Sequence, residues 1–218
     1  MNAEASGYFS HARPEMLPML PARYTRVLEI GCGAGEFARQ LAAGTEVWGI
    51  EPSPEAAAVA QMHLHRVLTG TFDSAKAALP AHYFDLLVCN DVIEHMPDHD
   101  AFLREVRGAL APGAAIVVSV PNIRFIGVIQ QLLFARDFRY EAEGIMDRTH
   151  LRCFTFRSLK RSVEEAGFQV ETIRGIAPID LLRISSKRLL LALFILLSLG
   201  RWSDMRFRQI ALRARLAG

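Results

Sequence analysis

The sequence predicts an α/β chain built on a doubly wound, mainly parallel sheet, and three observations carry that prediction. From Tyr24 onward, short apolar runs alternate with helix-like stretches, the rhythm of βαβ units. The first of those runs ends in a turn, Gly31-Cys32-Gly33-Ala34-Gly35, whose missing side chains let backbone come close to a ligand. Near the end, FRQIALRARL alternates, with Ile210, Leu212, Ala214 and Leu216 on one face and Gln209, Ala211, Arg213 and Arg215 on the other. That pattern marks residues 207–216 as an antiparallel strand in an otherwise parallel sheet.

The elements follow in order. TRVLEIG is the first strand, EFARQLAAG a helix closed by Gly44, and EVWGIE the second strand. Ser53 stands at an N-cap position and Pro54 in the first turn of the helix SPEAAAVAQMHLHRV. After a turn at Pro80, FDLLVCN is apolar throughout, as expected of a strand covered on both faces. DHDAFLREVRGALAPG is an amphipathic helix ended by Pro112 and Gly113, and AAIVVSVPN is a central strand stopped by Pro121. Residues 123–152 break the rhythm and read as an inserted lid or substrate segment after the fifth strand. SLKRSVEEAGF then gives a helix and FQVETIRG a strand. Within residues 178–203 lies LLLALFILLSLG, apolar all round and flanked by Lys187, Arg188 and Arg201. As a helix its twelve residues reach about 18 Å, short of the roughly 30 Å of a bilayer core. Three readings stay open for it: a buried core helix, a cover over an apolar substrate, or an element dipping into a membrane surface.

Composition narrows the partners. The 218 residues are 51% hydrophobic and 22% charged, as in a packed globular protein, and suit a single domain with an appendage. With 25 Lys and Arg against 23 Asp and Glu, the chain lacks the electrostatic footprint of a nucleic-acid binder. The charge is uneven, however: residues 176–218 hold 8 basic and 2 acidic side chains, residues 1–175 hold 17 and 21. Three cysteines, at 32, 89 and 153, fit neither a disulfide framework nor a zinc site. With an N-terminus unlike a secretory signal, they point to a cytoplasmic protein.

The glycine turn selects its ligand through its neighbours. A dinucleotide fingerprint needs a small residue where Glu36 stands, and a carboxylate there repels phosphate. Glu51, twenty residues after Gly31 and at the end of the second strand, is placed to accept hydrogen bonds from a ribose diol. The ligand is therefore expected to be a nucleoside without phosphates. No metal-ligand spacing appears, since His63 and His65 point apart on the helix expected there.

LEIGCGAGEF, the acid in IEPS, YFDLLVCNDVIEH and LAPGAAIVVSVPN together resemble the class I S-adenosylmethionine-dependent methyltransferases, over roughly residues 24–175. YFSHARPEML and DRTHLRCFT with its AGF helix resemble a bacterial subgroup linked to cell-surface polysaccharide and glycan biosynthesis, which has two aromatics where Cys153 and Phe154 stand here. The resemblance implies a seven-stranded Rossmann-like sheet and S-adenosyl-L-methionine as cofactor. It places Glu29 and the backbone around Gly31, Cys32, Gly33 and Gly35 at the cofactor's ammonium group, and Glu51 with Pro52 at its ribose. Phe72 and Asp73 would meet the adenine, although Thr71 replaces an acid often found two places before Asp73. Asn90 and Asp91 would flank the methionine portion. Residues 24–122 form the cofactor-binding half, and the segment 1–23 closes over it through Tyr8 and Arg13, the latter pairing with the cofactor's carboxylate.

Methylating an alcohol needs a general base, and histidine suits neutral pH. His150 is the first candidate, with Asp147 orienting it or binding a sugar hydroxyl, and His95 the second. The acceptor implied is a small molecule, a sugar or a lipid-linked glycan. The basic, apolar tail adds an anionic membrane surface as partner, which would make the protein peripheral to the inner face of the membrane. Alternatives are a non-catalytic cofactor-binding subunit of a glycan-assembly complex, an N-methyltransferase or an aromatic O-methyltransferase; Glu36 argues against a nicotinamide-dependent oxidoreductase.

Overall fold

A computed structural model describes residues 12–179 and 186–217. Seven strands form one sheet: β1 (Arg26–Ile30), β2 (Glu46–Glu51), β3 (Arg66–Thr69), β4 (Phe84–Asn90), β5 (Leu110–Pro121), β6 (Phe168–Pro178) and β7 (Phe207–Leu216). Their order is β3-β2-β1-β4-β5-β7-β6. Only β7 runs antiparallel, to both β5 and β6. The expected doubly wound sheet with its antiparallel strand at residues 207–216 is the one observed. Strand order reverses direction between β1 and β4, which opens a crevice beyond their carboxyl ends.

Among the described residues the α-helices of five residues or more are α1 (Pro54–Ala60), α2 (His99–Glu105), α3 (Ile126–Gln130), α4 (Phe156–Glu165) and α5 (Ser186–Leu197), with a single turn at Phe72–Ala75. Central strands read as unbroken apolar runs because both sheet faces are covered. On one face Leu28, Leu87, Ile116 and Leu159 pack with Phe102 of α2; on the other, Val27, Leu86 and Val117 pack with Met16 and Met19. Those two methionines belong to a 3₁₀ segment, Pro14–Met19, and are fully buried, each contributing about 1.5–3 kcal/mol. Arg213 adds a tether by donating to the Met19 and Leu20 carbonyls. This anchoring carries residue 13 to the edge of the crevice.

Four expectations give way to the structure. The stretch EFARQLAAG forms only a 3₁₀ turn, Ala38–Gln40, because the N–H groups of Gln40 and Leu41 bond three residues back and the Gln40 amide is drawn to the Ala12 carbonyl. The helix from Pro54 stops at Ala60, and Arg66–Thr69 is instead the third strand. His65 docks it, exchanging bonds with the Val47 backbone at 3.0 and 3.2 Å. The helix expected through Gly113 ends at Glu105 with a 3₁₀ turn to Ala109, and Leu110 already starts β5. Finally, α5 is no core helix: Leu189, Leu196 and Leu197 are 72%, 73% and 69% exposed. Among the described residues no helix is long and apolar enough to cross a membrane.

Candidate active site

A cavity of about 740 Å³ lies at the switch point, between the glycine turn, the ends of β2 and β4, and the insertion. On the strand side the backbone sets its shape. Gly31 and Gly35 have φ of +66° and +86°, and a Cβ on either would come within 2.7 Å of Val92 or Leu64. Glu51 fixes the turn from the next strand. Its two carboxylate oxygens accept from the Gly33 and Ser53 N–H groups, each at 2.8 Å, joining the turn to the start of α1. Each oxygen keeps a second lone pair for a ligand hydroxyl. Cys32 lines the cavity, but burial pushes its thiol up and keeps it protonated.

Glu29 is buried at the last but one position of β1, and its Oε2 has no hydrogen-bond partner among the described residues. Burial, with Glu51 nearby, pushes it up to about 8. An unpaired carboxylate in a cavity wall costs free energy that a ligand cation removes. That observation tests the implied cofactor: an ammonium group fits Glu29, and a ribose fits Glu51. Asn90 also lines the cavity, with both side-chain polar atoms buried and unbonded.

Arg13 reaches the cavity in a left-handed conformation and pairs with Asp91. The guanidinium also donates to Ser119 Oγ (3.1 Å) and Gln209 Oε1 (3.0 Å), while Asp91 accepts from Ser119 Oγ (3.0 Å) and Gln209 Nε2 (3.0 Å). Ser119 and Gln209 come from β5 and β7, two strands the sequence reading left out of the site. No local pattern around either residue signals it.

The opposite wall holds the histidines. His95 and His150 meet edge to face, ring centroids 4.8 Å apart. His95 Nδ1 lies 3.2 Å from the Thr149 carbonyl and 3.1 Å from its hydroxyl, and that hydroxyl donates to Asp147 at 2.7 Å. A proton on Nδ1 satisfies both contacts and leaves Nε2 with its lone pair free. Burial and the neighbouring His150 pull His95 below the ordinary histidine value. His150 Nδ1 bonds the Ile145 carbonyl at 3.1 Å. Asp147 thus serves His95 through Thr149, whereas the sequence reading paired it with His150. Burial opposes its ionisation, yet the Thr149 N–H and hydroxyl prevail and hold the carboxyl below its ordinary value. Glu94 is fully buried, with neither carboxylate oxygen bonded among the described residues, and the sequence reading left it out of the site; burial pushes it up to about 8. One ligand atom each of Glu94, His95 and His150 lies within 4.8 Å of the others, a set that can hold a cation and that no local spacing announces.

Two placements differ from expectation. Phe72 packs in the core against Phe102, rings 4.9 Å apart, and Asp73 pairs with Lys76 at the surface; neither lines the cavity. Tyr8 lies outside the described residues.

A family model described as "Methyltransferase domain" matches residues 1–173. The chain belongs to the methyltransferase-domain family. S-adenosylmethionine is its methyl donor, in keeping with the vacant bonds at Glu29 and the lone pairs at Glu51. This methyltransferase is 29% identical over 160 residues to a ubiquinone biosynthesis O-methyltransferase of Burkholderia pseudomallei, covering 70% of this chain and 68% of that one. To a relative of the same name in Bradyrhizobium diazoefficiens it is 34% identical over 101 residues, 44% of this chain and 40% of that one. In fold it is similar to an S-adenosylmethionine-dependent methyltransferase of Archaeoglobus fulgidus (TM-score 0.63, 21% identity, 97% of this chain and 90% of that one). One from Mesorhizobium loti is comparable (TM-score 0.63, 20% identity, 94% and 98%).

Proposed function

We propose that this methyltransferase methylates a hydroxyl oxygen, on a sugar of a lipid-linked glycan, with His95 as the general base. The observation that carries the reading is the chain His95 Nδ1, Thr149 hydroxyl, Asp147 carboxylate, with contacts of 3.1 and 2.7 Å. It leaves Nε2 ready to take a proton and stabilises the imidazolium that results, the logic by which a buried acid orients a catalytic histidine. A depressed histidine stays neutral, and so basic, at physiological pH. The relatives' printed name, O-methyltransferase, supports oxygen as the attacked atom. The glycan rests on the likeness of DRTHLRCFT and YFSHARPEML to the subgroup described above.

When bound, S-adenosylmethionine supplies an electrophilic methyl on a sulfonium sulfur. The chain's own residues bind and orient. Glu29 meets the ammonium group, Glu51 the ribose hydroxyls, and Arg13, released from Asp91, the carboxylate. Asn90 and Asp91 stand beside the reacting centre. His95 Nε2 would take the acceptor's hydroxyl proton as the acceptor oxygen bonds the methyl carbon, the methyl–sulfur bond breaking with its electron pair left on sulfur as a neutral thioether. The test is incubation with methyl-labelled cofactor and a panel of lipid-linked glycans, free sugars and phenols. Label in an ether on a glycan is expected; label on nitrogen, or none with cofactor bound, contradicts the reading. A phenolic acceptor is the second reading, favoured by the relatives named for ubiquinone biosynthesis, and label on the phenols alone would select it.

A further inference from the structure

Exposed large apolar side chains are concentrated in two segments. Of the fourteen among the described residues, eleven fall within 132–140 and 189–202. Soluble surfaces scatter such residues singly, and a contiguous set marks a contact with something apolar. On α5 and the turn after it, Leu189, Leu193, Leu196, Leu197 and Leu199 are 48–89% exposed, ending at Trp202. In the insertion, α3 continues into a π-turn, Gln131–Ala135, that presents Leu132, Leu133 and Phe134, followed by Phe138 and Tyr140.

The two segments share one root. Ile195 of α5 packs against the buried cluster of Phe125, Ile126, Val128, Met146 and Met205 at the base of the insertion. Both segments therefore grow from a small apolar cluster that also borders the cavity, since Ile145 belongs to it and lines the cavity wall.

We propose that these two segments form one docking face for an anionic lipid bilayer. Charge decides the occupant. Arg136, Arg139 and Arg201 are exposed within the two segments against Asp137; the flanks add Lys187 and Arg188 in sequence and the exposed Glu141 and Glu143, leaving five basic against three acidic side chains. Arginines around an apolar ridge complement anionic headgroups, and they repel a second copy of the same face. Length agrees. At about 18 Å a twelve-residue helix cannot span a bilayer core but lies in its interface, with Trp202 and Tyr140 at the depth where amphipathic rings settle. The face then turns the cavity rim to the membrane, where an acceptor with an apolar anchor would be found.

This inference goes beyond the acceptor reading, and its readout needs no methyl transfer. The full chain is floated with vesicles of phosphatidylcholine alone and of phosphatidylcholine mixed with phosphatidylglycerol, and its mass in solution is measured in parallel. Expected is co-flotation with the mixed vesicles only. Arg136→Glu with Arg139→Glu should lower vesicle affinity by roughly fivefold or more per arginine. Leu196→Asp with Leu197→Asp, at exposed positions that leave the core intact, should abolish flotation while the cofactor-induced thermal shift is retained. No flotation by the intact chain, equal flotation with neutral vesicles, or a stable dimer in place of vesicle binding would overturn it. Loss of methyl transfer with flotation intact would bear on the acceptor reading alone.

Discussion

The two walls of the cavity are held in different ways. The glycine-turn wall is backbone, set by positive φ at Gly31 and Gly35 and clamped by Glu51, and among the described residues it leaves Oε2 of the buried Glu29 without a partner. The histidine wall is side chains holding side chains: Asp147, Thr149 and His95 in series, with His150 edge-on. The first wall is a rigid cradle for one shape of ligand. The second joins a histidine from the turn after β4, His95, to residues of the insertion, the part of such folds that varies with substrate. The proposed function assigns binding to one wall and proton transfer to the other, so variants should separate them.

The sharpest separation should come from His95→Gln, which removes the base and leaves the cradle. A fall of about 10²–10⁴ in kcat is expected, with cofactor affinity unchanged by equilibrium titration. Gly31→Val is the converse. Its Cβ would lie 2.7 Å from Val92, so the cofactor should lose its hold. A wild-type chain at a hundredfold excess over Kd gains about 2.7 kcal/mol of stability, and the variant should gain none in a thermal-shift assay.

Titration gives a third contrast. Glu29 and Glu94 are raised from 4.5 to about 8, so the folded chain holds protons there that the unfolded chain has released. Stability of the cofactor-free protein should therefore fall as pH rises from about 4.5 to about 8 and level off above that. Denaturant titrations across this range should show a shallower fall in Glu29→Gln and again in Glu94→Gln. Bound cofactor should flatten the Glu29 part only, since the proposed function sets the ammonium group against Glu29. The smallest effect is expected at Arg124→Ala, away from both walls. Its partly exposed pair with Asp204 is worth about 0.2–1 kcal/mol, and activity should hold.

The cradle was legible in the sequence because its determinants are local. A strand, three glycines and an acid twenty residues on are a pattern of backbone and spacing, and Glu51 stands in the cavity where that pattern puts it; Glu29 and Asn90, which also line the cavity, were placed there by the family resemblance. The antiparallel β7 was legible for the same reason, through the alternation of FRQIALRARL. The opposite wall was legible only in part. His95 and His150 could be named as residue types suited to the chemistry, but their meeting joins positions 55 residues apart. Thr149 as the link to Asp147 and Glu94 as a buried acid follow from that meeting, and Gln209 and Ser119 enter because β7 inserts beside β5. Phe72 shows the converse. A ring expected at the adenine was taken by the core, where Phe102 offers it an edge-to-face partner.

The cradle itself is tested most directly by titrating the purified chain with S-adenosylhomocysteine, in parallel with Glu51→Ala and Gly31→Val. One site per chain is expected in the wild type, with affinity lost in both variants. Absence of binding to the wild type, or binding that neither substitution weakens, would contradict it.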